Sequence, residues 1–222
     1  MVTGPIRSGG PEDSSLNYAA IGATQSREIL QYPPKGYRAV ESSRRLGSGS
    51  ERFESAARAL MTWGVQRGSG VAVTEVQGES DTEAYAGVDY DEEGRPVGRT
   101  TVAEEELFSP DGTPYVSAGT TAVLTFTVGP VKVPVPVKVV YIIDEPNRVG
   151  FAYGSRNGSP AEFERLLLVE QGDDGGVWLT IRALSRPVGV RWRIVLTVLR
   201  LGQRRYTHKY LTALHPTRIA GK

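Results

Sequence analysis

The chain has 222 residues, 39% of them hydrophobic, and a formal net charge of +1. This length and apolar content predict one large domain with a sizeable core, and the near-neutral charge gives no reason to expect nucleic acid or an anionic membrane as a partner. The absence of cysteine excludes disulfides, thiolate metal ligands and a cysteine nucleophile, and we expect a cytoplasmic location.

The N-terminal part of the sequence predicts a tail, a strand and a helix. Residues 1–15 lack an apolar targeting segment and are expected to form a disordered tail, followed by a single domain over residues 16–222. A first strand is predicted near Tyr37–Val40. The pattern then changes to helical spacing over residues 47–63, where Ser48 and Glu51 have the separation of a capping box. The apolar positions of this helix are Phe53, Ala56, Ala57, Leu60 and Met61.

Residues 70–76, "GVAVTEV", predict a second strand, after which the chain becomes strongly acidic. From Gly78 to Gly112 there are eleven acidic residues against Arg95 and Arg99. We interpret residues 78 to about 118 as a solvated acidic insertion in the domain, with a hairpin closed by a "DEEGRP" turn. No run of about 18 apolar residues, the length that predicts a membrane span, occurs in the sequence.

Five more strands are predicted between residues 122 and 185, separated by turn-forming Gly, Pro, Asp and Asn. Their sequences are "AVLTFTVG", "PVKVPVPVKVVYIID", "VGFAYGS", "FERLLLVEQ" and "VWLTIRALS". Pro134 and Pro136 lack the N–H group that a strand donates, so their stretch is expected at a sheet edge or a bend. The "QGDDGG" turn is expected to close the last hairpin.

The stretch "VVYIIDEPNRVGFAYGS", residues 139–155, predicts a hairpin whose return strand has a small residue at every second position. If "DEPNR" is a five-residue loop, Tyr141 lies opposite Phe151 and Val139 opposite Tyr153, with the bulky residues on one face. The other face then carries Gly150, Ala152 and Gly154. Such a strip either lets another element approach the backbone closely or forms the floor of a cavity.

The last predicted element is also the longest, an amphipathic helix over about Gly189–Leu214. No acidic residue occurs between Pro187 and Lys222, so its solvent face is basic. Together the elements predict an α+β fold in which a curved antiparallel β-sheet wraps around a long C-terminal α-helix. This helix-grip arrangement resembles START-like and Bet v 1-like proteins, and the resemblance implies a hollow that holds a small apolar ligand.

Several blocks of the sequence, in order, resemble uncharacterised protein family 0548, a domain of unknown function found in bacteria and plants. They include "NYAAIGAT", "LGSGSERFESAARALMTW", "VVYIIDEPNRVGFAYGS", "IRALSRP" and "RRYTHKYL". The chain departs from the family pattern after the YG pair. Ser159 stands where the resemblance implies a histidine and Ala161 where it implies an acid, whereas Glu164 is retained.

The candidate site residues come from the predicted strands. Trp178 and Arg182 alternate onto one face of the last strand, and a buried arginine needs a partner. Glu164 on the adjoining strand is a candidate partner for Arg182, and a ligand carboxylate or phosphate is the alternative. Tyr141 and Tyr153 complete the candidate ligand-lining set. No catalytic residue, metal ligand or cofactor motif is predicted, and His208 and His215 are interpreted as surface residues.

Three hypotheses follow for the function. The first is a helix-grip domain that binds a small, mostly apolar ligand between the sheet and the C-terminal helix. The second is an enzyme of cyclase or hydrolase type on the same scaffold, which requires a carboxylate of perturbed pKa in the hollow. The third is a protein–protein interaction module that uses the acidic insertion or the basic helix.

Overall fold

A computed structural model of the protein describes residues 16–78, 89–90, 96–97, 108–187 and 208–214. Two short 3-10 helices, Ala23–Gln25 and Arg27–Leu30, precede the first strand. The helices are α1 (Ser50–Met61), α2 (Gly64–Gly68) and α3 (residues 208–213). The strands are β1 (Arg38–Ser48), β2 (Ala72–Gln77), β3 (Asp89–Tyr90), β4 (Pro96–Val97), β5 (Thr121–Val128), β6 (Val131–Glu145), β7 (Arg148–Ser155), β8 (Ala161–Gln171) and β9 (Gly176–Pro187).

Seven strands form one antiparallel sheet in the order β1-β9-β8-β7-β6-β5-β2. The sheet is curved and not closed, since its edge strands β1 and β2 are not paired with each other. Register shifts interrupt β1, β2 and β6, and irregularities of this kind bend a strand and increase its twist. The predicted antiparallel sheet is therefore confirmed. The short β3–β4 pair confirms the hairpin at "DEEGRP".

The sheet is covered on both faces, because its central strands carry buried residues at successive positions. In β8, Leu167 and Val169 belong to the main core with α1, α2 and α3, on what we call the inner face. Leu166 and Leu168 lie on the opposite, outer face, where they pack with Ala152. Residues 16–31, the N-terminal segment, are hydrogen-bonded to this outer face.

Helix α1 buries the predicted apolar face against the sheet, with Phe53, Ala56, Ala57 and Leu60 all in the core. The capping-box prediction is wrong. Ser48 is the last residue of β1, opposite Gly176, and the N-cap is Gly49, whose side-chain-free backbone adopts a φ of 91°. Since glycine tolerates this conformation, the chain turns from strand to helix in one residue.

The predicted register of the β6–β7 hairpin is correct at Val139 opposite Tyr153 and wrong nearer the turn. Tyr141 lies opposite Ala152 because a register shift separates it from Val139. The five-residue loop is also wrong: Glu145 pairs with Arg148, leaving a turn of residues 146–147. The bulge moves Tyr141 to the outer face, away from Tyr153.

The proline-containing half of β6 pairs on one side only. Residues 131–136 pair with β5, whereas pairing with β7 begins at Val137. Pro134 and Pro136 therefore lie at a local edge, as predicted, although β6 as a whole is an interior strand of the sheet.

The predicted C-terminal helix lies mostly outside the described residues. Its described end, α3, packs into the core through Tyr210, Ala213 and Leu214, while His208 is exposed as predicted. The predicted tail, His215 and most of the acidic insertion also lie outside the described residues. None of the helices in the described ranges has the length and apolar content that crossing a membrane requires.

Candidate functional site

An aromatic cluster lies at the centre of the inner face. The ring centre of Trp63, between α1 and α2, is 5.1 Å from that of Phe151 and 6.0 Å from that of Tyr153. Tyr153 in turn meets Phe163 edge to face at 6.1 Å. Trp63 has a φ of 62°, uncommon for a bulky residue, so the backbone accepts local strain where the indole enters the core.

Arg165 projects from β8 into this cluster. Its guanidinium carbon lies 5.9 Å from the ring centre of Phe163 and 5.3 Å from that of Tyr210, and Nη1 donates to Tyr153 Oη at 3.3 Å. Within the described ranges no carboxylate lies within ion-pair distance of Arg165. Among the described residues, the cation is therefore held by aromatic faces and one long hydrogen bond, with no neutralising charge.

Two polar side chains of the inner core have no hydrogen-bond partner in the described part of the protein. They are the hydroxyl of Tyr210 and the amide of Gln66, on residues that are 2% and 0% exposed. Tyr210 Oη lies near Tyr153 and Arg165 without reaching hydrogen-bond geometry with either. Burial, and then the neighbouring Tyr153, raise the pKa of Tyr210 well above its ordinary value, so its hydroxyl stays protonated.

Glu164 is fully buried on the outer face and accepts four hydrogen bonds from the N-terminal segment. Its Oε2 accepts from Tyr18 Oη and the Gly22 amide, each at 2.7 Å. Its Oε1 accepts from the amide and hydroxyl of Thr24 at 2.8 and 2.6 Å. These donors compensate the cost of burying a carboxylate, so Glu164 acts as an anchor for the segment.

The charge partner of Arg182 is Glu41, and the prediction of Glu164 as partner is wrong. Nε and Nη2 of Arg182 both lie 2.7 Å from Glu41 Oε2, while Nη1 donates to the carbonyls of Thr24 and Gln25 at 2.7 and 3.1 Å. The strand register explains the choice. Glu41 is directly opposite Arg182 in β1, whereas Glu164 is opposite Leu184 and so only diagonal to Arg182.

The four residues predicted to line a ligand are divided between the two faces. Tyr153 lies on the inner face, while Arg182 is on the outer face with Trp178, which is 39% exposed. Tyr141 is also on the outer face, where its Oη lies 2.8 Å from Thr24 Oγ1. Burial raises the pKa of Tyr141 to about 12. Their ligand-lining role stays a prediction.

The strip of small residues in β7 serves close packing. A Cβ atom added to Gly154 would lie within 3.0 Å of three atoms of Tyr18, and one added to Gly150 would meet the backbone of Leu167. Ala152 packs with Leu166 and Leu168. Of the two alternatives for this strip, the close approach of another element is confirmed.

Sequence reasoning missed Arg165, Tyr210 and Gln66. Arg165 had a detectable signal, because it alternates with Phe163 and Leu167 in β8 much as Arg182 alternates with apolar residues in β9. Tyr210 falls within the predicted C-terminal helix, where its sequence position gives no signal beyond the amphipathic pattern. Ser159, at the position of the expected histidine, donates to the carbonyl of Ala161 at 2.9 Å and closes a turn.

Comparison with known proteins identifies the family. An 84-residue stretch, 38% of this chain, is 33% identical to the "UPF0548 protein" of Deinococcus radiodurans and spans about two-fifths (41%) of that relative. This match confirms the resemblance to uncharacterised protein family 0548.

A solved structure with a TM-score above 0.5 supports the fold. A hypothetical protein of Helicobacter pylori, jhp0584, superposes with a TM-score of 0.51 at 11% identity over 87% of this chain and 94% of its own. Ara h 8.0201 superposes with a TM-score of 0.42 at 13% identity, over 81% of this chain and 99% of its own. A model of the family described as a domain of unknown function (DUF1990) matches residues 17–91 and 99–213, and the chain belongs to that family.

Proposed function

We propose that the inner face of the sheet binds a small, mostly apolar molecule, with the predicted C-terminal helix as the second wall in a helix-grip arrangement. The observation that carries this proposal is a pair of buried polar groups that have no partner among the described residues, Tyr210 Oη and the Gln66 amide. Native interiors leave few such groups, and each needs a water or a ligand to satisfy it.

The surroundings of these groups support an apolar ligand. Tyr210 belongs to the main core on the inner face, whose side chains are aromatic and aliphatic and include Trp63, Phe151 and Tyr153. Ligand sites of this kind combine a largely apolar lining with a few polar groups that fix orientation. We place this activity in the cytoplasm of bacteria, because the chain has no cysteine and its relative is from Deinococcus.

Ligand binding is preferred to the enzyme hypothesis because of where the acidic group lies. Glu164, the buried carboxylate of the described core, is on the outer face with its hydrogen-bonding capacity filled. The enzyme hypothesis as formulated requires a carboxylate in the hollow, and Glu164 lies on the opposite face of the sheet. The interaction hypothesis concerns the acidic insertion and the basic helix face, which lie largely outside the described residues.

The proposal is tested first by native mass spectrometry of the purified protein, followed by extraction and identification of any molecule that co-purifies. A second measurement titrates the protein with N-phenyl-1-naphthylamine, a neutral apolar dye whose fluorescence rises in apolar sites. We expect saturable binding. Finding neither a retained molecule nor saturable dye binding would refute the proposal.

A matched pair of variants locates the site. Ala183 on β9 and Ala39 on β1 are both half-buried, but Ala183 lies on the inner face opposite Arg165 and Ala39 on the outer face opposite Leu184. Ala183→Phe should weaken dye binding by about 10-fold, because added bulk in a packed site costs about 1–3 kcal/mol. Ala39→Phe should leave the dye affinity unchanged. If both variants change the dye affinity equally, the site is not on the inner face.

A further inference from the structure

We infer that the ligand carries one acidic group, such as a carboxylate, and that Arg165 binds this group while the apolar part lies along the aromatic cluster. The inference rests on the proposed function and specifies the chemistry of the ligand. It is drawn from the groups around Arg165 on the inner face, where the described residues provide a positive charge and hydrogen-bond donors but few acceptors and no negative charge.

This shortage of acceptors is visible when the two arginines of the central strands are compared. Arg182 has a carboxylate and two backbone carbonyls around its guanidinium. Arg165, on the neighbouring strand, has one hydrogen bond at 3.3 Å, to Tyr153. A guanidinium has five N–H donors and is always charged, so most of the donors of Arg165 have no acceptor within the described ranges. The side chain of Arg165 is half-buried, so its charge is partly withdrawn from water, and the groups described around it do not compensate this cost.

The groups next to Arg165 are donors as well. The hydroxyl of Tyr153 accepts from Arg165, which leaves its own hydrogen free to donate. The buried hydroxyl of Tyr210 has no partner in the part of the chain that the structure describes, and the guanidinium of Arg165 lies over the ring of Tyr210. A guanidinium with two phenol hydroxyls matches an ionised carboxylate, which only accepts hydrogen bonds. A cationic ligand would be repelled at the same place.

The cross-strand row that contains Arg165 provides space and apolar surface for the rest of the ligand. Along the inner face this row runs Tyr153, Arg165, Ala183 and Val40. Ala183 leaves room beside the guanidinium because its side chain is one methyl group. Val40, which is 45% exposed, continues the apolar surface to the edge strand β1. An elongated apolar acid fits this row with its carboxylate at Arg165.

The test compares two competitors that share an alkyl chain and differ in the head group. With N-phenyl-1-naphthylamine bound as reporter at pH 7.5, dodecanoate and 1-dodecanol are titrated as displacing ligands. Wild-type protein should bind dodecanoate at least about 10-fold more tightly than 1-dodecanol, which is the effect of a charge-assisted hydrogen bond. Arg165→Met should remove the preference while dye affinity changes by less than about 3-fold.

Two further variants make the result specific. Arg148→Met, at an arginine exposed near the β6–β7 turn, is the control and should keep the preference of wild type. Tyr210→Phe removes one proposed donor and should reduce the preference even if Arg165→Met does not fold. Dye binding without preference for dodecanoate, or without displacement by either competitor, overturns the inference and leaves the proposed function standing. Absence of saturable dye binding overturns the inference, and it overturns the proposed function as well if no molecule co-purifies with the protein.

Discussion

Replacing Glu164 with glutamine tests whether this carboxylate anchors the N-terminal segment to the sheet. The four donors around Glu164 leave no acceptor site unused. Glutamine keeps one carbonyl oxygen, but its amide nitrogen cannot accept a hydrogen bond. The nitrogen must replace either Oε1 or Oε2. The hydroxyl of Thr24 or Tyr18 can turn to accept from it, but the backbone amide of Thr24 or Gly22 loses its partner in either orientation.

The expected cost follows from this count. One buried backbone amide left without an acceptor costs about 1–3 kcal/mol, and the remaining bonds lose the strengthening effect of the charge. Removing the burial cost of the carboxylate offsets part of the loss. We therefore expect Glu164→Gln to lower the free energy of unfolding by about 2–4 kcal/mol, or Tm by about 5–15 °C for a domain of this size.

The assay is urea unfolding followed by tryptophan fluorescence, with limited trypsin digestion as a local measurement. Glu170→Gln is the matched control, because Glu170 is on the same strand and its nearest cation is Arg148, at 3.7 Å on the surface. Such surface pairs contribute about 0–1 kcal/mol. In Glu164→Gln, cleavage after Arg27 should also accelerate. If the two variants unfold at the same urea concentration, Glu164 does not anchor the segment.

Two further predictions concern the same outer face. Gly154→Ala should destabilise the protein by about 1–3 kcal/mol, because the new methyl group displaces Tyr18 from Glu164. If Gly154→Ala lowers the free energy of unfolding as much in a Tyr18→Ala background as in wild type, the clash with Tyr18 is not the reason. Burial alone would raise the pKa of Glu162, but hydrogen bonds from Arg186 and Tyr37 outweigh burial and lower this pKa. The stability that Glu162 contributes is then present above about pH 4.5 and lost as the pH falls through its folded-state pKa, because the unfolded chain binds the proton more readily. The Tm of Glu162→Gln should therefore fall less steeply than the Tm of wild type between about pH 5 and 3. Parallel plots of Tm against pH for the two proteins would contradict this role of Glu162.

The strands could be predicted because each has a local signal. The hairpin turn at "QGDDGG", the proline edge in β6 and the alternation along β8 and β9 are determined by neighbours in sequence. Phe53 and Leu60 likewise repeat at helical spacing within α1. The N-cap was mispredicted because the strand pairing of Ser48 with Gly176 competes with its capping preference.

The register near Tyr141 could not be predicted, because a bulge has no reliable local signature in this stretch. One additional residue between Val139 and Tyr141 changes the face of every residue from there to the turn. The partner of Arg182 was missed for a different reason. Glu41 is 141 positions away in sequence, and only the pairing of β1 with β9 brings it opposite Arg182.

The contrast between the buried Arg182 and the half-buried Arg165 indicates which charge is available for function. Both follow the same alternating pattern, so periodicity alone assigns them equal interest. The N-terminal segment and the edge strand β1 neutralise Arg182 and supply acceptors for it, which makes this charge part of the fold. Arg165 faces the side of the sheet where the described groups nearest to it are donors and aromatic rings. Arg182 is compensated within the fold, whereas the half-buried Arg165 has one hydrogen bond in the described ranges, and this difference is the reason for assigning Arg165 to the acidic group of the proposed ligand.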